Sequence, residues 1–375
     1  MMKPRFLDAM GEALDLVRKS NLAEATALLR KALSGEERGR RSDPEARLEL
    51  PPGPAPAPSA RRPLGEVLRA LRARNPMPRD PAAAPKAPDA PPAHGFGERF
   101  ASRTYRGPAG SLNYRLYVPA DHRERDLALL LMLHGCTQSP EDFARGTRMN
   151  DLADEFGLIV AYPHQPRRAN PSGCWNWFDR RHQNRGSGEP AKLAGLAQTL
   201  AREFGVKKER VFAAGLSAGG AMAEVLAATY PDVFDAVGVH SGLPYKSALD
   251  APSAFAAMKG SATADSAPEA SNAGSCRKIV FHGGADATVH PMNGERILEQ
   301  AECSPNPLKR SDLDWQIDGG RVRRTILKDP EGRPMVEHWF VEGGGHAWFG
   351  GDARGTYTQS VGLDASRVMV RFFLK

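Results

Sequence analysis

The sequence is poor in cysteine and lacks the spacings in which cysteine usually carries chemistry. Its 375 residues contain four cysteines and no Cys-x-x-Cys pair. This pattern gives no support to a zinc site or a thiol-redox motif, and no metal is predicted. Two interpretations stay open: four reduced thiols, or two disulfides formed in an oxidising compartment. The four residues are Cys136, Cys174, Cys276 and Cys303.

Long apolar runs are also missing. No stretch reaches the roughly 20 apolar residues that a transmembrane helix needs. The N-terminus starts with Met1 and basic residues, but Asp8 and Glu12 soon interrupt any apolar run. No standard secretory signal is therefore predicted. With 41% hydrophobic and 25% charged residues, the composition is that of a globular protein.

The net charge of +7 lies mostly in the first 95 residues, which hold 17 Lys and Arg against 12 Asp and Glu. Residues 1–35 have apolar side chains at helical spacing on two segments and predict a helical hairpin. Residues 36–95 predict a linker, with 13 prolines between 51 and 94. We interpret the basic charge as that of a solvated leader and the hairpin as a small docking or oligomerisation element; the alternative is a tether to a granule, a membrane or a protein partner. No nucleic-acid partner is predicted.

From residue 96 to 375 the sequence predicts one catalytic domain in which strands alternate with helices. Leu127 to Leu133 is apolar throughout, as expected for a strand buried on both faces. This alternation is typical of a mainly parallel sheet with helices on both faces, and functional groups then gather at the carboxyl ends of the strands. Further strands are predicted near 113–118, 158–163, 210–216, 236–239, 278–283, 322–328 and 334–341. Residues 246–275 are predicted as a mobile excursion.

One strand runs into Gly215-Leu216-Ser217-Ala218-Gly219, which has the Gly-x-Ser-x-Gly form. A sharp strand-to-helix turn of this kind exposes a serine nucleophile, and glycines allow the neighbouring chain to approach. The alternative is an ordinary glycine-rich turn. The motif thus makes Ser217 a candidate nucleophile.

A serine needs a base and an acid that orients the base. Asp286 follows the strand at 278–283, and His346 follows the last strand, so the order Ser, Asp, His is that of α/β-type serine hydrolases. An oxyanion would be bound by the backbone N–H groups of Ala218 and of the loop at Gly135-Cys136. The rival acids are Asp312, Asp314 and Asp318, the rival base is His338, and His282 is predicted to be structural.

Six motifs in this order carry a family resemblance: His134–Gln138, Gly173–Phe178, Gly215–Gly220, His240–Tyr245, Phe281–Asp286 and Gly345–Trp348. The chain resembles the polyhydroxybutyrate depolymerase-type esterases, which are similar to feruloyl and acetylxylan esterases. The resemblance covers about residues 100–375. It implies an α/β-hydrolase fold, hydrolysis of carboxylic esters without a cofactor, and an extracellular location. The missing secretory signal keeps a cytoplasmic location as the alternative.

The resemblance points to polyhydroxybutyrate, its oligomers or related hydroxyacyl esters as substrate, with feruloyl or acetylxylan esters of plant polysaccharide as the alternative. A non-catalytic binding protein on a hydrolase scaffold is a further alternative. The residues predicted to contact the substrate are Trp175, Trp177, Trp348 and His290.

Two of these predictions have structural alternatives. Trp175 and Trp177 would instead form a small core under a long loop. The cysteines suggest two bridges, because Cys136 and Cys174 both lie beside predicted site elements, while Cys276 and Cys303 flank the Asp286 segment.

Overall fold

The computed structural model describes residues 99–123, 126–261, 276–303, 306–318 and 320–375. These ranges fall within the predicted catalytic domain. The helical hairpin predicted at 1–35 and the linker predicted at 36–95 lie outside the described residues.

Ten strands of the described chain form one sheet, in the order β1-β2-β4-β3-β5-β6-β7-β10-β9-β8. Neighbours from β4 to β10 in this order are parallel, whereas the pairs at both edges are antiparallel. The strands are β1 Phe100–Gly107, β2 Gly110–Tyr117, β3 Ala128–Leu133, β4 Leu158–Pro163, β5 Val211–Leu216, β6 Ala236–His240, β7 Arg277–Gly283, β8 Lys309–Ile317, β9 Gly320–Lys328 and β10 Pro334–Val341. A separate short pair joins β11 Trp348–Phe349 to β12 Thr358–Gln359.

Helices pack on both faces of this sheet, and β3 shows how. Leu129, Leu131 and Leu133 belong to the apolar cluster that includes α3 and α4, whereas Leu130 and Met132 belong to the cluster with α1, α2 and α7. Because alternate side chains of a strand point to opposite faces, a fully apolar strand serves both layers. The helices of the described part are α1 Pro140–Thr147, α2 Met149–Phe156, α3 Gly188–Phe204, α4 Ala218–Thr229, α5 Ala251–Met258, α6 Met292–Glu302 and α7 Ala365–Phe373.

This architecture confirms the predicted α/β fold with a mainly parallel sheet and helices on both faces. The differences lie at the edges and in the excursion. β1 and β8 were not predicted, and α5 occupies part of the segment 246–275. The parallel centre brings the carboxyl ends of β3, β5, β7 and β10 to one edge of the sheet, where the candidate site residues lie.

Candidate active site

Ser217 lies between β5 and α4 in a strained backbone conformation. Its φ is 57° and its ψ is −118°, a region that side chains other than glycine rarely adopt. The strain is held by the Ser217 N–H, which donates to His240 O over 2.8 Å at the end of the neighbouring β6. The turn leaves Ser217 partly exposed, as a nucleophile requires.

The glycines of the motif allow this turn to be tight. A Cβ on Gly219 would overlap the carbonyl oxygen of Leu133, and a Cβ on Gly215 would overlap the backbone of Gly219. The start of α4 therefore packs directly on the end of β3. Only glycine permits that approach without moving the backbone.

The predicted acid and base are paired. Asp286 is buried after β7, and its Oδ2 lies 2.8 Å from Nδ1 of His346 in the loop after β10. Its other oxygen accepts the N–H groups of Thr288 and Val289 at 2.9 and 2.8 Å. Burial acts to raise the pKa of Asp286, but the hydrogen bond and charge of His346 outweigh it, and the pKa of this carboxyl lies below its usual range.

The loops that carry this pair are joined to each other. Gly284 N–H donates to Val341 O over 2.7 Å, and Ala285 N–H donates to Gly344 O over 2.9 Å. No hydrogen bond joins Ser217 Oγ to His346 within the described ranges. Such catalytic contacts often tighten only when substrate is bound.

The loop after β3 offers one free backbone donor beside Ser217. Gly135 N–H donates to Gln138 Oε1 over 2.9 Å, and Thr137 N–H donates to Ser172 O over 2.8 Å. A Cβ built on Gly135 would lie 3.7 Å from Ser217 Cβ, so the loop lies against the nucleophile. The N–H groups of Cys136 and Ala218 donate to no described residue, which makes these two amides available to an oxyanion.

Of the two suggested disulfides, one is present and the other is not. Cys136 and Cys174 form a disulfide that ties this loop to the segment before Trp175. The suggested bridge between Cys276 and Cys303 is wrong: both are free thiols. Cys276 is buried at the start of β7 and burial raises its pKa to about 12, whereas Cys303 is exposed at the end of α6.

Three tryptophans that are predicted to contact the substrate are buried in the core, and their contact with the substrate stays a prediction. Trp175 is fully buried and donates from Nε1 to His134 O over 3.1 Å. Trp177 is 5% exposed and packs edge-on against Phe178. Trp348 is 1% exposed and donates to Ser366 Oγ over 2.9 Å. Trp175 and Trp177 belong to the apolar cluster on one face of the sheet, and Trp348 belongs to the cluster on the other face.

His290 is the predicted contact that is exposed, and its backbone N–H donates to Met258 O at the end of α5. His338 is buried in β10, where burial lowers its pKa to about 3. His282 is buried and bonds through Nε2 to Val289 O, consistent with a structural role. The rival acid Asp312 lies in β8, where it bonds Thr325 and Arg310.

Three residues at this site were not singled out from the sequence. Gln138 accepts the N–H of Gly135 at Oε1, and its Nε2 donates to Thr356 O and to Asp142 Oδ2. His240 accepts Phe349 N–H at Nε2 over 3.2 Å and is stacked on Trp348. Tyr357 has a φ of 52°, places its ring 6.3 Å from that of His346, and lies 3.3 Å from Thr137 through its hydroxyl. Gln138 and His240 fall within the motifs quoted above, which is the signal that could have indicated them.

This sheet order and this strand-to-helix turn define the α/β-hydrolase class. The sequence profile described as "Esterase PHB depolymerase" matches residues 112–302. That match spans half of the chain, and the chain belongs to this family. Among solved structures, the acetyl xylan esterase from Aspergillus awamori is similar in fold, with a TM-score of 0.55 and 20% identity over 73% of this chain and all of that chain.

Three curated relatives are similar in sequence. Poly(3-hydroxyalkanoate) depolymerase C of Paucimonas lemoignei is 30% identical over 63% of this chain and 58% of its own length. A probable acetylxylan esterase A of Aspergillus flavus is 28% identical over 49% of this chain and 64% of its own length. Feruloyl esterase B of Neurospora crassa is 34% identical over 37% of this chain and 46% of its own length. The chain thus spans about half to two thirds of these relatives.

Two features are absent from the described ranges. No helix there is both long and apolar enough to cross a membrane. No group of three or more His, Cys, Asp or Glu side chains in these ranges is arranged to hold a metal ion.

Proposed function

We propose that this protein is a serine carboxylic-ester hydrolase, with Ser217 as nucleophile, His346 as base and Asp286 as the acid that orients the base. One observation carries the proposal: a serine at positive φ on a strand-to-helix turn, with two free backbone amides beside it, at the edge of the sheet that also carries a paired Asp286 and His346. This is the set of parts that acyl transfer through an acyl-enzyme requires.

In this mechanism His346 Nε2 takes the proton of Ser217 as Oγ attacks the ester carbonyl. Asp286 fixes the tautomer, because its Oδ2 accepts the proton on Nδ1. The N–H groups of Cys136 and Ala218 stabilise the oxyanion of the tetrahedral intermediate. The alcohol then leaves with a proton from His346, and water, activated by the same base, releases the acid.

The test is hydrolysis of a short-chain p-nitrophenyl ester by Ser217→Ala. We expect kcat/KM to fall by at least about 10³-fold, because the covalent step is removed. Ser102→Ala, at an exposed position in β1, is the matched control and should turn over at the wild-type rate. Unchanged turnover by Ser217→Ala would show that the mechanism is wrong.

For the substrate, we propose polyhydroxybutyrate, its oligomers or related short hydroxyacyl esters. The support is the family and the relative named Poly(3-hydroxyalkanoate) depolymerase C. Feruloyl or acetylxylan esters are the second candidate, favoured by the relatives with those names. A panel that measures 3-hydroxybutyrate, ferulate and acetate release separates the candidates: ferulate or acetate released faster than 3-hydroxybutyrate would reverse the order.

We also propose an extracellular location, supported by the disulfide between Cys136 and Cys174, because such bonds persist in oxidising compartments. Fractionation of producing cells tests it, and protein found only in the cytoplasm with a reduced pair would contradict it. A granule or protein partner for residues 1–95 is tested by co-sedimentation. Removal of residues 1–95 should abolish co-sedimentation and leave the turnover of soluble esters unchanged.

A further inference from the structure

A cavity lies away from the candidate catalytic residues, between β2 and the segment from the end of β4 to the start of α3. Its volume is about 260 Å³. Asn113, His164, Arg168, His182 and Lys192 contribute polar side chains to its wall, and none of Ser217, Asp286 or His346 does. Proteins hold small ligands in concave spaces where a few polar groups converge.

The acidic group in this wall is already satisfied. Glu189 is buried, and its carboxylate accepts the N–H of Asn176 at 2.8 Å and the Nδ2 of the same residue at 2.7 Å. The Nε2 of Gln165 donates to it as well. Because three donors already hold its two oxygens, the Glu189 charge does not need a cation from the cavity wall.

The polar groups that remain are mostly donors without partners. His182 Nδ1 accepts the N–H of Glu189 over 3.0 Å, so the proton of the neutral ring lies on Nε2. Asn113 Oδ1 accepts from Thr104 Oγ1, which leaves the Asn113 amide hydrogens unused. Arg168 and Lys192 form no ion pair with any described residue. Two free cations and two neutral donors therefore share one concave wall.

We infer that this cavity binds a small organic monoanion, a carboxylate. Two cations against one carboxylate leave a formal charge of plus one, which matches a monoanion better than a dianion. Gln165 also lines the cavity, and its Oε1 accepts no hydrogen bond from a described residue, so a ligand hydroxyl has an acceptor there. A hydroxycarboxylate satisfies both features.

The inference goes beyond the proposed ester hydrolysis, since the cavity contains none of the reacting groups. The cavity is still linked to the candidate oxyanion loop: Gln165 N–H donates to Nε2 of His134, the residue before Gly135. A carboxylate is what ester hydrolysis releases, so the products of the proposed reaction belong to the ligand class that fits this wall.

The test measures binding of 3-hydroxybutyrate and of inorganic phosphate to the full chain by isothermal titration calorimetry. We expect 3-hydroxybutyrate to bind more tightly than phosphate. Lys192→Gln and Arg168→Gln should each weaken its binding by about tenfold, the effect of one charge-assisted hydrogen bond. Arg167→Gln removes a neighbouring exposed cation that does not line the cavity. The affinity of this variant for 3-hydroxybutyrate should equal that of the wild type.

Three results would overturn the inference: no binding of 3-hydroxybutyrate to the wild type, equal affinity in wild type and both cavity variants, or phosphate binding as tightly as the carboxylate. Activity separates this test from that of the proposed function. Lys192→Gln and Arg168→Gln should keep wild-type turnover of a p-nitrophenyl ester in a buffer that contains neither carboxylate nor phosphate. Ser217→Ala should lose turnover and keep carboxylate binding.

Discussion

Asp286 lies in a turn that directs three hydrogen bonds onto one carboxylate. The N–H groups of Thr288 and Val289 hold Oδ1, and this leaves Oδ2 facing His346. Because the pKa of Asp286 lies below its usual range, the group stays ionised throughout neutral and mildly acidic solution. In the proposed mechanism, an ionised carboxylate at this position orients the ring of His346 and stabilises the cation that forms when the ring takes a proton.

Asp286→Asn should therefore lower kcat by about 10³- to 10⁴-fold with little loss of stability. The asparagine oxygen would keep the two backbone N–H groups, and its NH₂ would then face Nδ1 of His346 and favour the wrong tautomer. Ester turnover and urea unfolding measure the two effects.

The matched control for this prediction is Asp314→Asn, at an exposed rival acid in β8. It should keep wild-type turnover. A larger loss of kcat in Asp314→Asn than in Asp286→Asn would identify Asp314, and not Asp286, as the acid.

The loop after β3 is held from several sides. Its disulfide joins Cys136 to Cys174, and Gln138 binds the N–H of Gly135 while reaching Thr356 near the end of the chain. These contacts leave the amide of Cys136 without an acceptor among the described residues. A preorganised donor of this kind stabilises an oxyanion without further rearrangement.

Replacing Cys136 and Cys174 together by serine should lower the free energy of unfolding by about 4 kcal/mol, given a closed loop of 38 residues. It should also lower kcat more than it raises KM, because the loop that carries a donor is released. Urea unfolding and steady-state kinetics measure the two effects. Cys303→Ser, at an exposed free thiol, should change neither.

Thiol counting checks the same assignment without a variant. The unreduced protein, once unfolded, should show two titratable thiols, Cys276 and Cys303. Four thiols would contradict the bridge in the protein as produced.

The central strands were predictable because burial on both faces leaves a clear signal. β3, β4 and β5 are buried at every residue, and their sequences are apolar throughout. β8 was not predicted because eight of its nine residues are exposed and its charged side chains imitate a loop. Edge strands carry no such burial pattern, so the sequence does not indicate that Asp312 and Asp314 lie in a strand.

The loop that carries Trp175 and Trp177 is a second place where the sequence allows two structures. An aromatic cluster in a polar loop is equally compatible with a substrate wall and with a small core, and the sequence does not say which way a ring points. The packing shows that the ring points inwards: Trp175 donates to His134 O and is fully buried. The order of Ser217, Asp286 and His346 was easier to read, because each follows a strand whose end lies at the same edge of the sheet.

In the part of the chain that the structure describes, four buried histidines make the fold sensitive to acid. Burial lowers the pKa of His134 to about 4 and that of His338 to about 3, and it lowers those of His240 and His282 as well. In the unfolded chain a histidine has a pKa of about 6.5. Between the two values the unfolded state binds more protons, so stability is present above about pH 6.5 and is lost as the pH falls.

His134 and His338 should each lower the free energy of unfolding by about 2 kcal/mol between about pH 7.5 and pH 5, and His240 and His282 should lower it in the same direction. Urea unfolding at both values measures the loss. His338→Gln should reduce the pH-dependent loss by about 2 kcal/mol, because it removes one titrating group.

Val336→Ala is the control, since it perturbs the same strand without removing a titrating group. It should lower stability equally at both pH values. The same pH-dependent loss in His338→Gln as in wild type would contradict the assignment.

Covalent labelling with a fluorophosphonate probe, located by mass spectrometry of the digested protein, tests most directly whether Ser217 is the nucleophile. We expect a single adduct on Ser217 in the wild type, the same adduct in Ser102→Ala, and none in Ser217→Ala. A wild-type protein that stays unlabelled, or that carries its adduct on another residue while Ser217 is unmodified, would contradict the assignment of Ser217 as the nucleophile and favour a binding protein on a hydrolase scaffold.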